Sequence, residues 1–461
     1  MSLPSGAVFD SGVPGQVDLH NDRVVAELTD LAQRLLDEAR RQGAPEAEVS
    51  VTDRTGLSVG VRQRDVESVE LNQDRSIALS VIVDCRRGMV STTDTRSSSI
   101  AEAVAKAVNF ARHTQQDPCN GLADPDRLAK HIPDLDLYHP EALDAERQKA
   151  DALEAEATAL DFDSRIVNSH GSSAWSQSGC EVYANTHGFL GSTRGTQYGT
   201  SVVVVAQDER GMQTDGWYTT SRLSGELESP QMVGSRAARR SLRRLGGRRV
   251  RTGSYPVVFD AQTAKSLLGS LVAALSGGLL YRKASFLADS IDTMVAAEGF
   301  SLWQRPHLQR AGGSCAFDAE GVATKDLCFI ERGVVRSYVL DSYTSRKLKL
   351  PTTGNAGGVF NLELEVGTTP LSDLLGSIES GFLVTEMMGQ GINLVTGDYS
   401  RGAAGLWIEN GEPAFPVDEV TVAGNLQRML RGLSGYGDDT DVRGNIRTGS
   451  ILVEGMTVAA G

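Results

Sequence analysis

Cysteine is scarce in this sequence of 461 residues, with five, at positions 85, 119, 180, 315 and 328. The number is odd and no Cys-x-x-Cys pair occurs. That excludes a disulfide framework or a zinc ribbon and predicts reduced thiols used as small, mostly buried apolar residues. Histidine is sparse too, with seven, at 20, 113, 131, 139, 170, 187 and 307. No two stand three to five residues apart, so no helix can offer the paired imidazoles that commonly fix a hydrolytic metal. No apolar run approaches the roughly 18 residues of a membrane span. The opening Met-Ser-Leu-Pro-Ser-Gly-Ala-Val-Phe-Asp lacks the basic start and apolar core of a secretory signal, so a cytoplasmic protein is expected. Positive charge is in deficit, 45 Lys and Arg against 59 Asp and Glu, a formal net charge of -14. A field of that sign repels phosphate backbones and disfavours nucleic acid as the main partner.

What remains is a globular composition, 40% hydrophobic and 23% charged, in a chain long enough for two or three domains. Between 21 and 41 the apolar positions Val24, Val25, Leu28, Leu31, Ala32, Leu35, Leu36 and Ala39 follow the 3.6-residue period of a helix with one buried stripe, closed by Gly43 and Pro45. Alternation then takes over at Val49 and Val51, at Leu57, Val59 and Val61, and from Ile77 to Val83, with a turn at Arg86-Arg87-Gly88. This reads as a meander of half-buried antiparallel strands. Ser99 with Glu102 predicts a capping box opening a second helix. Four prolines between 115 and 140 predict an extended connection, followed by a helix over 141–160. Strands are expected over 165–168, 180–185, 195–207 and 217–220, with a turn at Thr186-His187-Gly188. Beyond Gly246-Gly247 come short Gly-rich strands, at 256–259, 334–340, 381–385 and 403–409, interrupted by a helix over 261–275. The expected class is α+β: an N-terminal two-layer helix and antiparallel-sheet domain (20–135), a central α+β domain (136–245) and a C-terminal antiparallel β-rich domain (246–461).

Three local patterns carry possible chemistry. Gly56-Leu57-Ser58-Val59-Gly60 matches G-x-S-x-G, yet it lies within an alternating strand rather than a strand-to-helix elbow, so Ser58 is read as an ordinary strand residue. Tyr343 and Lys347 form Tyr-x-x-x-Lys, but no G-x-G-x-x-G turn accompanies them, which argues against a nicotinamide enzyme. Arg236, Arg239, Arg240, Arg243, Arg244, Arg248, Arg249 and Arg251 are numerous enough for a nucleic-acid patch. An apolar stripe of Ala238, Leu242 and Leu245 favours a solvated interdomain helix instead.

Several blocks, in order and from about residue 20 onward, resemble the PmbA/TldE family. They are Leu57 to Arg62 with Glu67 to Asn72, Gln116-Asp117-Pro118-Cys119 with Gly121 to Pro125, Ala184 to Gly188, Ser276 to Phe286, Phe317 to Thr324, Leu340 to Lys347, Thr353 to Gly358, Glu386 to Gly405 and Val420 to Leu426. The family looks like the metal-free half of the TldD/TldE peptidase, whose TldD half carries His-Glu-x-x-x-His. Just before Tyr281-Arg282-Lys283, where TldD-like chains place that motif, this chain reads Gly269-Ser-Leu-Val-Ala-Ala-Leu-Ser-Gly-Gly.

The resemblance implies a noncatalytic subunit with no cofactor or metal of its own, paired with a TldD-like metallopeptidase subunit that holds zinc. Unstructured peptides would be the substrates, in peptide-precursor maturation and antitoxin turnover. The family's older label is modulator of DNA gyrase. Alternative readings are a self-sufficient homodimeric peptidase and a gyrase-associated or nucleic-acid-binding regulator; the isolated chain could form a homodimer. No catalytic residue is assigned. Asn355, Gln390, Asn393 and Asp398, beside the Gly354–Gly358 and Gly389–Gly391 turns, are candidates for a substrate cleft or interface, with tight turns as the plainer reading of those glycines. Asp398 and Glu409 are considered as an acid/base pair and set aside in favour of surface or turn carboxylates.

Overall fold

The computed structural model describes residues 19–365 and 369–460. It is α+β, built around three sheets. Helix α1 (Leu19–Arg41) precedes the meander β1 (Glu46–Arg62), β2 (Asp65–Val83) and β3 (Arg86–Thr92), then α2 (Ser97–His113). The connection at 115–140 carries no strand or helix and leads to α3 (Ala145–Leu160), β4 (Ile166–Asn185), β5 (Leu190–Asp208), β6 (Gly211–Ser221) and α4 (Pro230–Arg243). The six strands form one antiparallel sheet in the order β3-β2-β1-β4-β5-β6, so the first two sequence segments share a single sheet through the β1–β4 pairing.

Strand period two divides the labour of that sheet. Odd residues of β1 and even residues of β4, such as Val49, Val51, Val182 and Ala184, pack under Leu28, Leu31 and Leu35 of α1 and Val104 and Val108 of α2. Further along the same face, Val59 and Val61 meet Ala152 of α3, and Val202, Val204 and Ala206 meet Val233, Ala237 and Ala238 of α4. The opposite face turns toward the rest of the chain. There Phe189 contacts both Tyr183 and Phe317, ring centroids 5.8 and 5.2 Å away, in a cluster with Leu128 and Val322.

The remaining chain comprises β7 (Gly253–Phe259), α5 (Ala261–Ala274), α6 (Gly277–Leu280), β8 (Leu302–Gln304), β9 (Leu327–Glu331), β10 (Val334–Val335), α7 (Ser342–Leu348), β11 (Leu362–Leu364), α8 (Leu371–Gly376), β12 (Ser380–Met388), β13 (Asp398–Glu409), β14 (Glu412–Asn425), α9 (Leu426–Arg431), β15 (Leu433–Tyr436), β16 (Ile446–Arg447) and β17 (Ile451–Ala460). A small sheet runs β10-β9-β8-β11-β16. The larger one, β14-β13-β12-β7-β17, closes into a barrel because β17 also pairs with β14. Most pairings are antiparallel, but β12 with β7 and β11 with β16 run parallel. Helix α5 plugs into this body, with Leu267, Leu268 and Leu271 in one core with Phe259, Phe382 and Tyr399.

Some local expectations need correction. Ser99 does not cap α2: the helix begins at Ser97 behind Arg96, whose side chain makes no capping bond, and Ser99 Oγ donates instead to Asp94 Oδ2 at 2.8 Å. The helix expected from 141 starts at Ala145, where Asp144 accepts the Arg147 N–H at 2.9 Å. Only Val334–Val335 of the expected 334–340 strand pairs as one. The strands expected at 165–168 and 180–185 are one continuous strand, β4, of 20 residues, while those at 195–207 and 217–220 lengthen into β5 and β6, of 19 and 11 residues; the Ser, Gly and Gln stretches are held in register across β4 and β5.

Candidate functional site

Helix α5 carries Gly269 to Ala274, the first part of the stretch where the resemblance would place a metal-binding motif, and its chemistry follows from its sequence. Asp260 caps it, accepting from Thr263 N and Oγ1, both at 2.8 Å. One side, Ala264, Leu267, Leu268, Leu271 and Ala274, is buried. The half-buried side presents Lys265, Ser266, Gly269 and Ser270. Cations stand over this side: Lys265 Nζ lies 3.2 Å from Asp441 Oδ2, and Arg401 donates through Nη1 to Ser266 Oγ. Ser270 Oγ is spent on the Ser266 carbonyl at 2.8 Å. A divalent cation needs deprotonated or neutral N, O or S donors fixed together. This side offers two engaged hydroxyls beneath two positive charges, so the residues present do not fit a catalytic zinc. Among the described residues, no three His, Cys, Asp or Glu side chains come together to hold a metal ion.

Arg401 joins α5 to the β12–β13 connection, where its Nε donates to the Gly389 carbonyl at 3.1 Å. The turn there has little freedom. Gly389 sits at φ +71°, and a Cβ on Gly391 would lie 1.5 Å from the Ser400 carbonyl oxygen. Three of the four sequence candidates fall on this connection and all are exposed: Gln390, Asn393 and Asp398. Asn393 N donates to the Asp398 carbonyl at 2.8 Å and its Oδ1 accepts from Val395 N at 2.9 Å. Asp398 accepts from Thr396 Oγ1 at 2.7 Å and from Asn425 Nδ2 at 3.2 Å, bonds that hold its carboxyl below the usual range. Asn355 lies elsewhere. It is only 4% exposed, and its Nδ2 donates to Gln304 Oε1 at 2.6 Å and to the Gly358 carbonyl at 2.8 Å, which locks the Gly354–Gly358 turn. Asp398 and Glu409 stand at opposite ends of β13, about 36 Å apart at strand rise, so they do not form a pair.

The other sequence patterns also resolve into contacts. Ser58 sits mid-strand, opposite Glu70 and Trp175. Tyr343 Oη donates to Asp117 Oδ2 at 2.9 Å and Lys347 Nζ approaches the same oxygen at 2.6 Å. Arg346 Nη1 donates to the Cys119 and Gly121 carbonyls, each at 3.2 Å, so α7 clamps the 115–140 connection. In the arginine run, Arg236 pairs with Glu228 and Arg240 with Asp215, and both lie over Trp217. Arg239 covers Phe162, Arg244 pairs with Glu386, and Arg248 covers Phe415. These aromatic partners are distant in sequence, which is why the run carried no sign of them.

A cleft of about 720 Å³ opens on the sheet face turned away from the four helices, between β4, β5, residues 132–138 and residues 314–316. Sequence reasoning missed it, since its walls come from six separate places in the chain: Arg54, β4, β5, Arg222, residues 132–138 and residues 314–316.

Comparison with known proteins agrees with this architecture. Models of the PmbA/TldA metallopeptidase domain 1, central domain and C-terminal domain match residues 47–111, 138–245 and 252–460. The chain belongs to the PmbA/TldD metallopeptidase family. A metalloprotease PmbA homolog of Haemophilus influenzae is 42% identical over 434 residues, 94% of this chain and 96% of that protein. Among solved structures, a Bacteroides thetaiotaomicron protein assigned as a modulator of DNA gyrase superposes with a TM-score of 0.90 at 30% identity, covering 94% of this chain and 99% of that one. TldE of Thermococcus kodakarensis, at 19% identity, shares the fold with a TM-score of 0.77 over 93% of this chain and all of its own. No described helix is long and apolar enough to cross a membrane.

Proposed function

We propose that this PmbA/TldD-family chain is the noncatalytic, TldE-like subunit of a two-subunit metallopeptidase. A TldD-like partner supplies the zinc, and unstructured peptides are degraded or trimmed. The observation that carries this reading is the half-buried side of α5, where two engaged hydroxyls lie beneath two cations. Hydrolysis at neutral pH by a metal-activated water requires a bound Lewis acid, and nothing on this helix can hold one. The chain's contribution would be surface. The unpaired state of all five cysteines supports a cytoplasmic setting. The arginine run lends little support to nucleic-acid binding, because carboxylates and rings already engage much of it.

The test is reconstitution. The purified chain with added zinc should leave an unstructured peptide intact, and addition of a TldD-like chain should bring chelator-sensitive cleavage. Chelator-sensitive cleavage by this chain alone would overturn the assignment in favour of a self-sufficient homodimeric peptidase.

A further inference from the structure

We propose that the cleft on the helix-free face of the large sheet receives a carboxylate of an extended peptide, held between Arg54 and Arg222. This deepens the peptide-handling reading above and rests on it for the class of ligand.

The floor follows from register. Arg54 on β1 is opposite Gly179 on β4, and Gly179 is opposite Gly195 on β5, so the three residues form one row across the sheet. Cross-strand partners share a face, and neighbouring strands lie about 4.8 Å apart. The middle of the row carries no side chain of its own, and the Arg54 side chain crosses it: a Cβ on Gly179 would meet Arg54 Cγ and the Asp53 carbonyl oxygen, each at 2.9 Å. Arg222, just beyond β6, closes the far end: its Nη1 lies 3.0 Å from where a Cβ on Gly195 would stand. Neither glycine has a positive φ, so backbone conformation does not demand them. At Gly195 the Arg222 guanidinium takes the place that a side chain would fill.

Charge distinguishes this cleft from a mere gap between elements. Arg54 is exposed and has no ion pair among the described residues. Arg222 donates to the carbonyls of Thr196 and Gly312, each at 3.0 Å, but meets no carboxylate, and its buried Nε has no partner. Of the acids in the walls, Asp136 has cationic partners, whereas Glu181 and Asp134 are bonded to neutral donors and keep their charge. Glu181 accepts from Ser50 Oγ at 2.5 Å, Asp134 from Asp136 N at 2.9 Å, and Asp136 faces His139 and Arg310 at 3.2 and 3.5 Å. The remaining wall cation, Arg194, is paired with Asp22 at 2.6 Å. Two guanidiniums without a carboxylate partner suit a planar anion, which each can hold with charge-assisted bonds. The volume, about 720 Å³, falls within the range of roughly 300–1,000 Å³ typical of ligand sites.

The carboxylate could belong to the chain end or to an acidic side chain, and the experiment separates the two. Fluorescence anisotropy of the purified full chain would follow three labelled peptides of one unstructured sequence: free C-terminus without acidic residues, the same amidated, and the amidated form with one internal Glu. Binding of the free acid with loss of about tenfold on amidation assigns the chain end, and recovery with the internal Glu assigns the side chain. Arg54→Ala should weaken the favoured peptide by about tenfold while Arg54→Lys retains most of the affinity, as expected for an exposed charged contact. Gly195→Val should block the floor. Circular dichroism identifies any misfolding of that variant, and Arg54→Ala, at an exposed position, remains decisive without it. Equal affinity for all three peptides, absence of binding by any, or indifference to Arg54→Ala overturns the proposal. Because the assay needs no partner, partner-dependent cleavage with charge-blind binding would sink this inference alone. Charge-selective binding without cleavage by any TldD-like pair would sink the subunit assignment alone.

Discussion

The same substitution at two helical glycines should have opposite signs. Gly234 lies inside α4 where that helix crosses α3, and a Cβ there would sit 2.3 Å from the Ala155 carbonyl oxygen and 3.1 Å from Ala159 N, both backbone atoms that cannot rotate away. Gly269 lies inside α5, where the nearest atom to an added Cβ is Ile446 Cδ1 at 3.8 Å, an ordinary contact. Replacing a mid-helix glycine by alanine gains about 1 kcal/mol in propensity. Gly269→Ala should keep most of that gain. At Gly234 the helices must separate by about 1 Å, loosening Val233, Ala237 and Ala238 from their cluster, and overpacking typically costs about 1–3 kcal/mol. Gly234→Ala should therefore be net destabilising by about 1–2 kcal/mol despite its better propensity. Urea unfolding, with hydrogen exchange to assign the loss to α3 and α4, measures both. Equal shifts of the same sign in the two variants would refute the reasoning, since only the close backbone approach distinguishes the sites.

Two further outcomes are expected. Lys347 and the Cys119 N–H hold the Asp117 carboxyl down at about 2, so its contribution to stability is present above the ordinary carboxylate range and is lost as pH falls through about 2. Asp117→Asn should make the 115–140 connection easier to proteolyse at pH 7, with variant and parent converging toward pH 2, and a gap that persists in acid would contradict the clamp. Asn355→Ala removes two buried hydrogen bonds and strands the Gly358 carbonyl, at a cost of about 2–3 kcal/mol in denaturant unfolding. Peptide affinity should stay within about twofold, because the side chain is enclosed.

How much of this was legible depended on whether the relevant physics was local. The stripe from Val24 to Ala39 and the alternation through β1 and β2 state their own periods, and both helix α1 and the meander formed as expected. Capping was misread at Ser99 because Asp94 competes for its hydroxyl from five residues upstream. The polar middle of β4 gave no strand signal, since its odd residues face a cleft rather than a core. Barrel closure was invisible for a different reason: β7 meets β17 only through a pairing of very long sequence separation. At the candidate site, missing ligands could be read directly from α5, whereas the Arg54–Gly179–Gly195–Arg222 row exists only after four strands are placed side by side.

The ring of strands also dictates an order of assembly. Strand β7 opens the third segment, but its neighbour across the seam, β17, is its final strand, and β14 must wait for that same strand to complete its own outer edge. A ribosome delivering the chain exposes β7, β12 and β13 long before the last staves arrive. Until β17 emerges, the half-built cylinder presents two unsatisfied margins, where premature pairing with a neighbouring nascent chain is the chief hazard.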